Sequence, residues 1–309
     1  MKEGRIKYFV AAFSAVIVWG FFSIPLRMLR DYPADQILYY RIFTSLILTW
    51  LYILLFRKKQ VKSDIKYVQE QDKFSRKKIL WLNLLAGLLI TGNWFTFIYA
   101  VNNVNLKSAA FAYMVCPLIT AMGGFFILKE KLTSTKLLAL GLASISILVL
   151  AQGSLIDVLW SILIAALYSF YLIIQRVIHS IDRFNMLGLH LFIASVLMIP
   201  FFIYEFQSFP TGLSFWLTIL VISIFFTIIP LFLSLYALIG MPSSTLGIII
   251  YINPIVAFAV AFFYFHEGIS VSQLYSYSLL LLAVIVFNWV TLKEMIIKLP
   301  SRNKPVTSS

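Results

Sequence analysis

The sequence predicts an all-α polytopic membrane protein of ten transmembrane helices, arranged as two inverted five-helix repeats. Three observations carry this. The chain of 309 residues is 61% hydrophobic and only 12% charged, and its apolar runs reach twenty residues again and again, which no water-soluble domain shows. The stretches Leu106 to Leu132 and Ser243 to Ile269 look like copies of one another. Adding 137 to a position in the first places Pro117 on Pro254, Phe126 on Phe263 and Glu130 on Glu267, and upstream Phe95 on Phe232, Tyr99 on Tyr236 and Ala100 on Ala237. Five spans separate the copies, an odd number, so the two halves enter the membrane in opposite senses.

The spans are taken in order. The first, Tyr8 to Leu26, follows Lys2, Arg5 and Lys7 and has the outline of a signal peptide. No small-residue cleavage pattern precedes Pro25, and it is read as a permanent span. Then come Gln36 to Phe56, Ile79 to Val101, Lys107 to Leu128 and Thr135 to Ala151. The second half holds Asp157 to Gln175, Asn185 to Tyr204, Ser214 to Leu238, Ser243 to Tyr264 and Ser270 to Leu292. This divides the chain into a first five-helix repeat over 1–152 with a charged cytoplasmic loop at 57–78, a second over 153–292, and a polar cytoplasmic tail over 293–309. The loop is read as a solvated connector touching anionic headgroups.

A formal net charge of +13 would suggest nucleic acid as a partner in a soluble protein. Here the charges sit between spans, and topology explains them without nucleic acid. With the N-terminus inside, 21 of the 25 basic residues fall in cytoplasmic segments and only Arg27, Arg30 and Lys107 outside, with Arg41 left within a span. Basic residues are retained on the cytoplasmic side, so both termini are expected there. The single Cys116 lies in an apolar span and excludes a disulfide framework.

Little in the chain suggests enzyme chemistry. It has no phosphate loop ending in Lys-Ser or Lys-Thr and no HExxH, and His179, His190 and His266 are scattered. No cofactor or metal is expected. Every acid lies at a span end or in a loop, whereas a proton-coupled exporter of cationic drugs usually needs a carboxylate deep in the membrane to hold cation and proton in turn. The polar residues within spans are Arg41, Asn83, Asn93, Gln175, His190, Asn253 and Asn288, accompanied by Trp19, Trp94, Tyr113 and Tyr251. That set suits a neutral, zwitterionic or anionic small molecule. The substrate-binding candidates are Arg41, Asn93, Trp94, Trp19, Tyr113, Asn253, Tyr251 and His190. Arg41, some 9 Å inside its span at ~1.5 Å per residue, either lines the cavity with its planar fork or is an interfacial arginine that reaches the headgroups or pairs with Asp35. His190 is either a cavity residue or a packed, interfacial histidine. Pro117, Pro254 and Pro230 each sit near the centre of a span and are read as hinges or as static kinks.

With these residues assembled, the chain resembles the EamA family of the drug/metabolite transporter superfamily and, within it, the RarD-type permeases. The resemblance spans nearly the whole chain. It rests on Trp19-Gly20 followed by Pro25, Tyr40-Arg41-Ile42, Gly92-Asn93-Trp94, Ala110 to Tyr113 through Pro117 into Leu128 to Leu132, Thr227 to Leu231, and Tyr251 to Pro254 ending in Glu267. One departure is that His190 or Ala194 stands where RarD-type proteins carry an acid. The resemblance implies a ten-helix permease of the plasma membrane, while members of the family move quite different solutes. The expected activity is therefore secondary active or facilitative transport, in the export direction, of a small metabolite or amino-acid-like solute by alternating access. The lipid bilayer is its medium and a monomer can suffice. A membrane-embedded enzyme or a scaffold without transport are the alternatives.

Overall fold

The computed structural model describes residues 3–103, 106–150, 155–178, 180–205, 208–266 and 271–289. Among these the regular structure is helical throughout, as apolar runs without water must be, because only a helix satisfies each backbone group within its own segment. The helices are α1 (Glu3–Gly20), α2 (Ser23–Met28), α3 (Ala34–Phe56), α4 (Lys58–Glu70), α5 (Lys73–Asn103), α6 (Leu106–Leu128) and α7 (Ser134–Leu150). They continue as α8 (Leu155–Val177), α9 (Arg183–Glu205), α10 (Leu213–Ser223), a π-helical turn (Ile224–Ile228), α11 (Ile229–Gly240), α12 (Ser243–Ile249), α13 (Ile252–Phe263) and α14 (Val271–Phe287). Six helical segments are long and apolar enough to cross a membrane, and four shorter apolar helices accompany them. In the six, 39 to 50% of the apolar window is buried, so about half of each faces outward. Leu148 and Ile203 are 72% and 68% exposed, positions that suit hydrocarbon and would be costly in water.

The helix ends repeat in two registers. Adding 149 to the ends of α3 gives the ends of α9, and adding 137 to the ends of α7 gives those of α14. The start of α6 maps in the same way onto the start of α12, and the end of α5 onto the end of α11. The two non-glycine residues with left-handed backbone, Lys129 (φ 56°) and His266 (φ 54°), are also 137 apart. Each lies just after an equivalent helix, α6 and α13, in the left-handed conformation that commonly ends helices. The packing obeys the same correspondence. Helix α1 packs on α11 and α13 as α8 packs on α5 and α6, and α3 packs on α10 as α9 packs on α5. The pairs α3 with α9, α6 with α12, and α7 with α14 join each helix to its own counterpart.

Three details depart from the expected order. The charged loop at 57–78 contains helix α4 and the start of α5. Its Lys, Gln and Glu residues, unbroken by Gly or Pro, favour that state. Asp72 begins α5 by accepting from the amides of Phe74 and Ser75 at 3.0 and 3.1 Å, and bonding with Ser75 holds its carboxyl below the usual carboxylate range. The span that carries Pro254 is broken at Ile250 and Tyr251 into α12 and α13, whereas α6 runs continuously through Pro117. Pro230 is the second residue of α11, directly after the π-helical turn, instead of standing in the middle of one unbroken α-helix. The tail at 293–309, Gly153 and Glu267 lie outside the described residues.

Candidate functional site

The site is built where the two halves meet. Trp19 on α1 and Tyr168 on α8 occupy equivalent positions 149 apart. Their rings meet edge to face with centroids 6.3 Å apart. Trp19 Nε1 donates to the carbonyl of Phe226 at 3.0 Å, and the sequence explains why that oxygen is free. Its partner in a regular helix would be the amide of residue 230, which is proline and has none. Asn93, equivalent to Pro230 in the 137 register, ties the counterpart helices: its Nδ2 donates to Ile164 O on α8 at 2.8 Å. Two side-chain donors of the first half, Trp19 and Asn93, thus each crosslink their helix to the second half, at corresponding helix pairs. A testable consequence concerns Trp19→Phe, which leaves the Phe226 carbonyl without a donor and is expected to cost about 1 kcal/mol of stability. In a Pro230→Ala background, whose restored amide can serve that carbonyl, thermal unfolding should show a smaller loss.

A second correspondence surrounds the backbone that precedes the paired prolines. A Cβ on Gly20 would come within 2.4 Å of Val256 Cβ and 3.3 Å of the carbonyl of Asn253, so α1 and α13 approach closely only because residue 20 is glycine. The equivalent residue, Ser169, donates to the carbonyl of Cys116 at 3.0 Å, and Cys116 is the equivalent of Asn253. Thr120 shares this oxygen at 2.9 Å.

Arg41 lies on α3 with its guanidinium carbon 5.7 Å from the Phe22 ring and 5.5 Å from the Trp94 ring, within cation–π range. Its Nε is buried without a hydrogen-bond partner. Among the described residues no ion pair joins it to Asp35. Tyr113 is close enough to interact with it electrostatically and packs on Phe97 at 5.6 Å. In the other half the equivalents of Arg41 and Phe22 are His190 and Tyr171, and these rings also meet, edge to face at 5.6 Å. His190 is 1% exposed and both its ring nitrogens lack partners. Tyr251 is fully buried at the break between α12 and α13 with its hydroxyl unpartnered. The structure thus groups Arg41 with Trp94 and Tyr113, places Trp19 at the junction of the halves and His190 in the opposite half. Asn93 spends its amide nitrogen on the backbone. The sequence reading missed Phe22, Tyr168, Ser169 and Tyr171, to which the 149 offset of the helix ends leads.

The counterparts α3 and α9 are tied at both ends. At one, Arg57 Nη2 pairs with Asp182 Oδ2 at 2.7 Å and Asn185 Nδ2 donates to Asp64 Oδ2 at 2.6 Å. At the other, the Tyr39 hydroxyl donates to Glu205 and Gln36 Nε2 to the Ser208 carbonyl at 3.4 Å. A groove of about 340 Å³ between α1, α13 and α14 is apolar apart from Asn288 and includes none of the polar candidates above.

The comparisons with known proteins decide what this arrangement belongs to. The EamA-like transporter family matches residues 6–152 and again 155–289. The chain belongs to the EamA-like transporter family. Within it the chain is a RarD-type permease. It is 30% identical over 285 residues to YojE of Bacillus subtilis (strain 168), an uncharacterized transporter, covering 90% of this chain and 92% of that protein. It is 29% identical over 290 residues to Protein RarD of Streptomyces exfoliatus, covering 91% of this chain and 88% of RarD. Protein RarD of Salmonella typhimurium is 28% identical over 284 residues, covering 89% and 92%. A crystal structure at 16% identity superposes with a TM-score of 0.72 over 93% of this chain and 98% of the other, a likeness of fold alone. This EamA protein is accordingly a multi-pass membrane transporter, and family and relatives indicate transport in place of catalysis.

Proposed function

We propose that this EamA transporter exports a small metabolite or amino-acid-like solute across the plasma membrane by alternating access between two inverted five-helix halves, 1–152 and 153–292. Arg41 holds the anionic group of the solute, by secondary active or facilitative transport, and a monomer suffices. The observation that carries the reading is the acid-free guanidinium of Arg41, partly buried with its Nε enclosed, between Phe22 and Trp94. A guanidinium placed so in a span marks a solute path, since at a lipid-facing position it would be costly. Trp94, Tyr113 and Trp19 offer faces for an apolar part of the solute, and Asn253, Tyr251 and His190 continue the path into the second half. The correspondence of helix ends and packing partners supports inverted halves. Pro117, Pro254 and Pro230 serve as hinges, each removing a backbone bond where a helix must bend. The decisive experiment is uptake into proteoliposomes over a panel of cationic, neutral, zwitterionic and anionic metabolites, with and without a pH gradient. Saturable uptake of an anionic or zwitterionic member supports the reading; uptake of cations alone overturns it.

The sidedness has its own test. With both termini cytoplasmic, cysteines placed at Gln60, Gly153, Asp182 and Gln207 should react with an impermeant reagent from inside, outside, inside and outside. Labelling of Gly153 and Asp182 from one side contradicts the inverted halves.

A further inference from the structure

Arg183 is only 3% exposed, and half of its guanidinium is used. Nη1 donates to the carbonyls of Gln175 and Ile178 at 2.9 and 2.6 Å, closing the C-terminal end of α8. Nε and Nη2 are buried with no partner. These two N–H groups share the edge of the planar fork that takes a carboxylate through two parallel bonds.

The neighbouring acids are occupied elsewhere. Asp182 receives Arg57 and the amides of Phe184 and Asn185. Asp64 receives Asn185 and the amide of Asp182. Gln175, whose backbone carbonyl Arg183 holds, is fully buried with both side-chain amide atoms unpartnered. One turn before it on α8 is Tyr171, against which His190 packs. His190 stands seven residues after Arg183, on the same face of α9. Capping α8 explains Nη1 alone. It does not explain a buried guanidinium edge and, in the last turn of the helix that Arg183 closes, a buried side-chain amide, both unspent, since buried polar groups are ordinarily partnered.

We propose that Arg183 and Gln175 form a second anion site, which binds a carboxylate at the Asp182 end of the bundle; it rests on the reading of Arg41 as the first. The fork takes the two carboxylate oxygens and the Gln175 amide adds a donor. A solute released from Arg41 then meets a second site of the same chemistry in the opposite half, beside the counterpart of the first.

The test titrates purified full-length protein with sodium acetate against sodium chloride at constant ionic strength and reads the unfolding temperature, which rises with ligand occupancy. Arg183→Lys keeps a donor for the two carbonyls but loses the fork. Gln175→Leu replaces an unpartnered amide with an apolar group, a change that preserves or improves folding. Both variants should unfold near the wild-type temperature without acetate, and acetate should bind each about tenfold more weakly. Arg41→Gln should retain the component that depends on Arg183. Acetate responses of Arg183→Lys and Gln175→Leu equal to wild type overturn the second site. An unchanged response in Arg41→Gln alone counts against Arg41 as an anion site and leaves Arg183 standing. No stabilisation of the wild-type protein by acetate overturns both.

Discussion

Arg41→Lys should leave the protein folded and abundant in the membrane while lowering transport of an anionic or zwitterionic solute by at least about tenfold, the worth of one charge-assisted bidentate contact reduced to a single one. Lysine keeps the charge and loses the planar fork, together with the stacking of guanidinium between Phe22 and Trp94. Arg41→Ala removes the charge as well and should bring uptake close to the level of empty liposomes. Because no described acid is paired with Arg41, its removal strands no buried carboxylate, so stability should change little or rise. Uptake in proteoliposomes, normalised to reconstituted protein, checks both variants. Normal uptake by Arg41→Ala would leave the residue a packing element of α3.

The second large effect is on stability. Glu130 follows the left-handed residue Lys129 and turns back onto the start of α12. Its carboxylate accepts from the amide and hydroxyl of Ser243 at 2.8 and 2.9 Å and from the amide of Ser244 at 3.0 Å. Both serines are fully buried, so no water replaces the lost acceptor. A negative group at a helix N-terminus also meets the positive end of the helix dipole. Gly124 makes room for it, since a Cβ there would lie 2.7 Å from Glu130 Oε2. Glu130→Ala should therefore cost about 3 kcal/mol and lower the unfolding temperature and yield of solubilised protein. Glu130→Gln, which keeps one acceptor oxygen, should lose roughly half as much. Equal stability of all three proteins would show that α12 does not depend on this cap.

Much of this architecture was legible because membrane burial writes itself into sequence as long apolar runs, and because the two halves keep their registers. Arg41 stood out for a physical reason: a charge is conspicuous among apolar neighbours. What escaped the sequence was set by tertiary contact. Arg183 reads as one more loop cation until α8 ends against it. The break at Ile250 and Tyr251 and the π-helical turn before Pro230 depend on how freed carbonyls find new donors, such as Trp19, and no local pattern encodes that. Helix α4 was hidden by its charge, since a solvated segment and an exposed helix share a composition. Tyr168 and Tyr171 passed as ordinary aromatics of a span, and only their counterparts, Trp19 and Phe22, give them meaning.

The account turns on alternating access between corresponding halves, with α3 and α9 tied at both ends in this structure. The direct measurement is the distance between spin labels on two pairs in reconstituted protein: Gln36 with Ser208 at one end, and Gln60 with Ser180 at the other. Anionic solute present on one side only should produce two populations. In each, one pair should be long while the other stays short. Pairs that lengthen together, or that keep single unchanged distances while uptake proceeds, would contradict it.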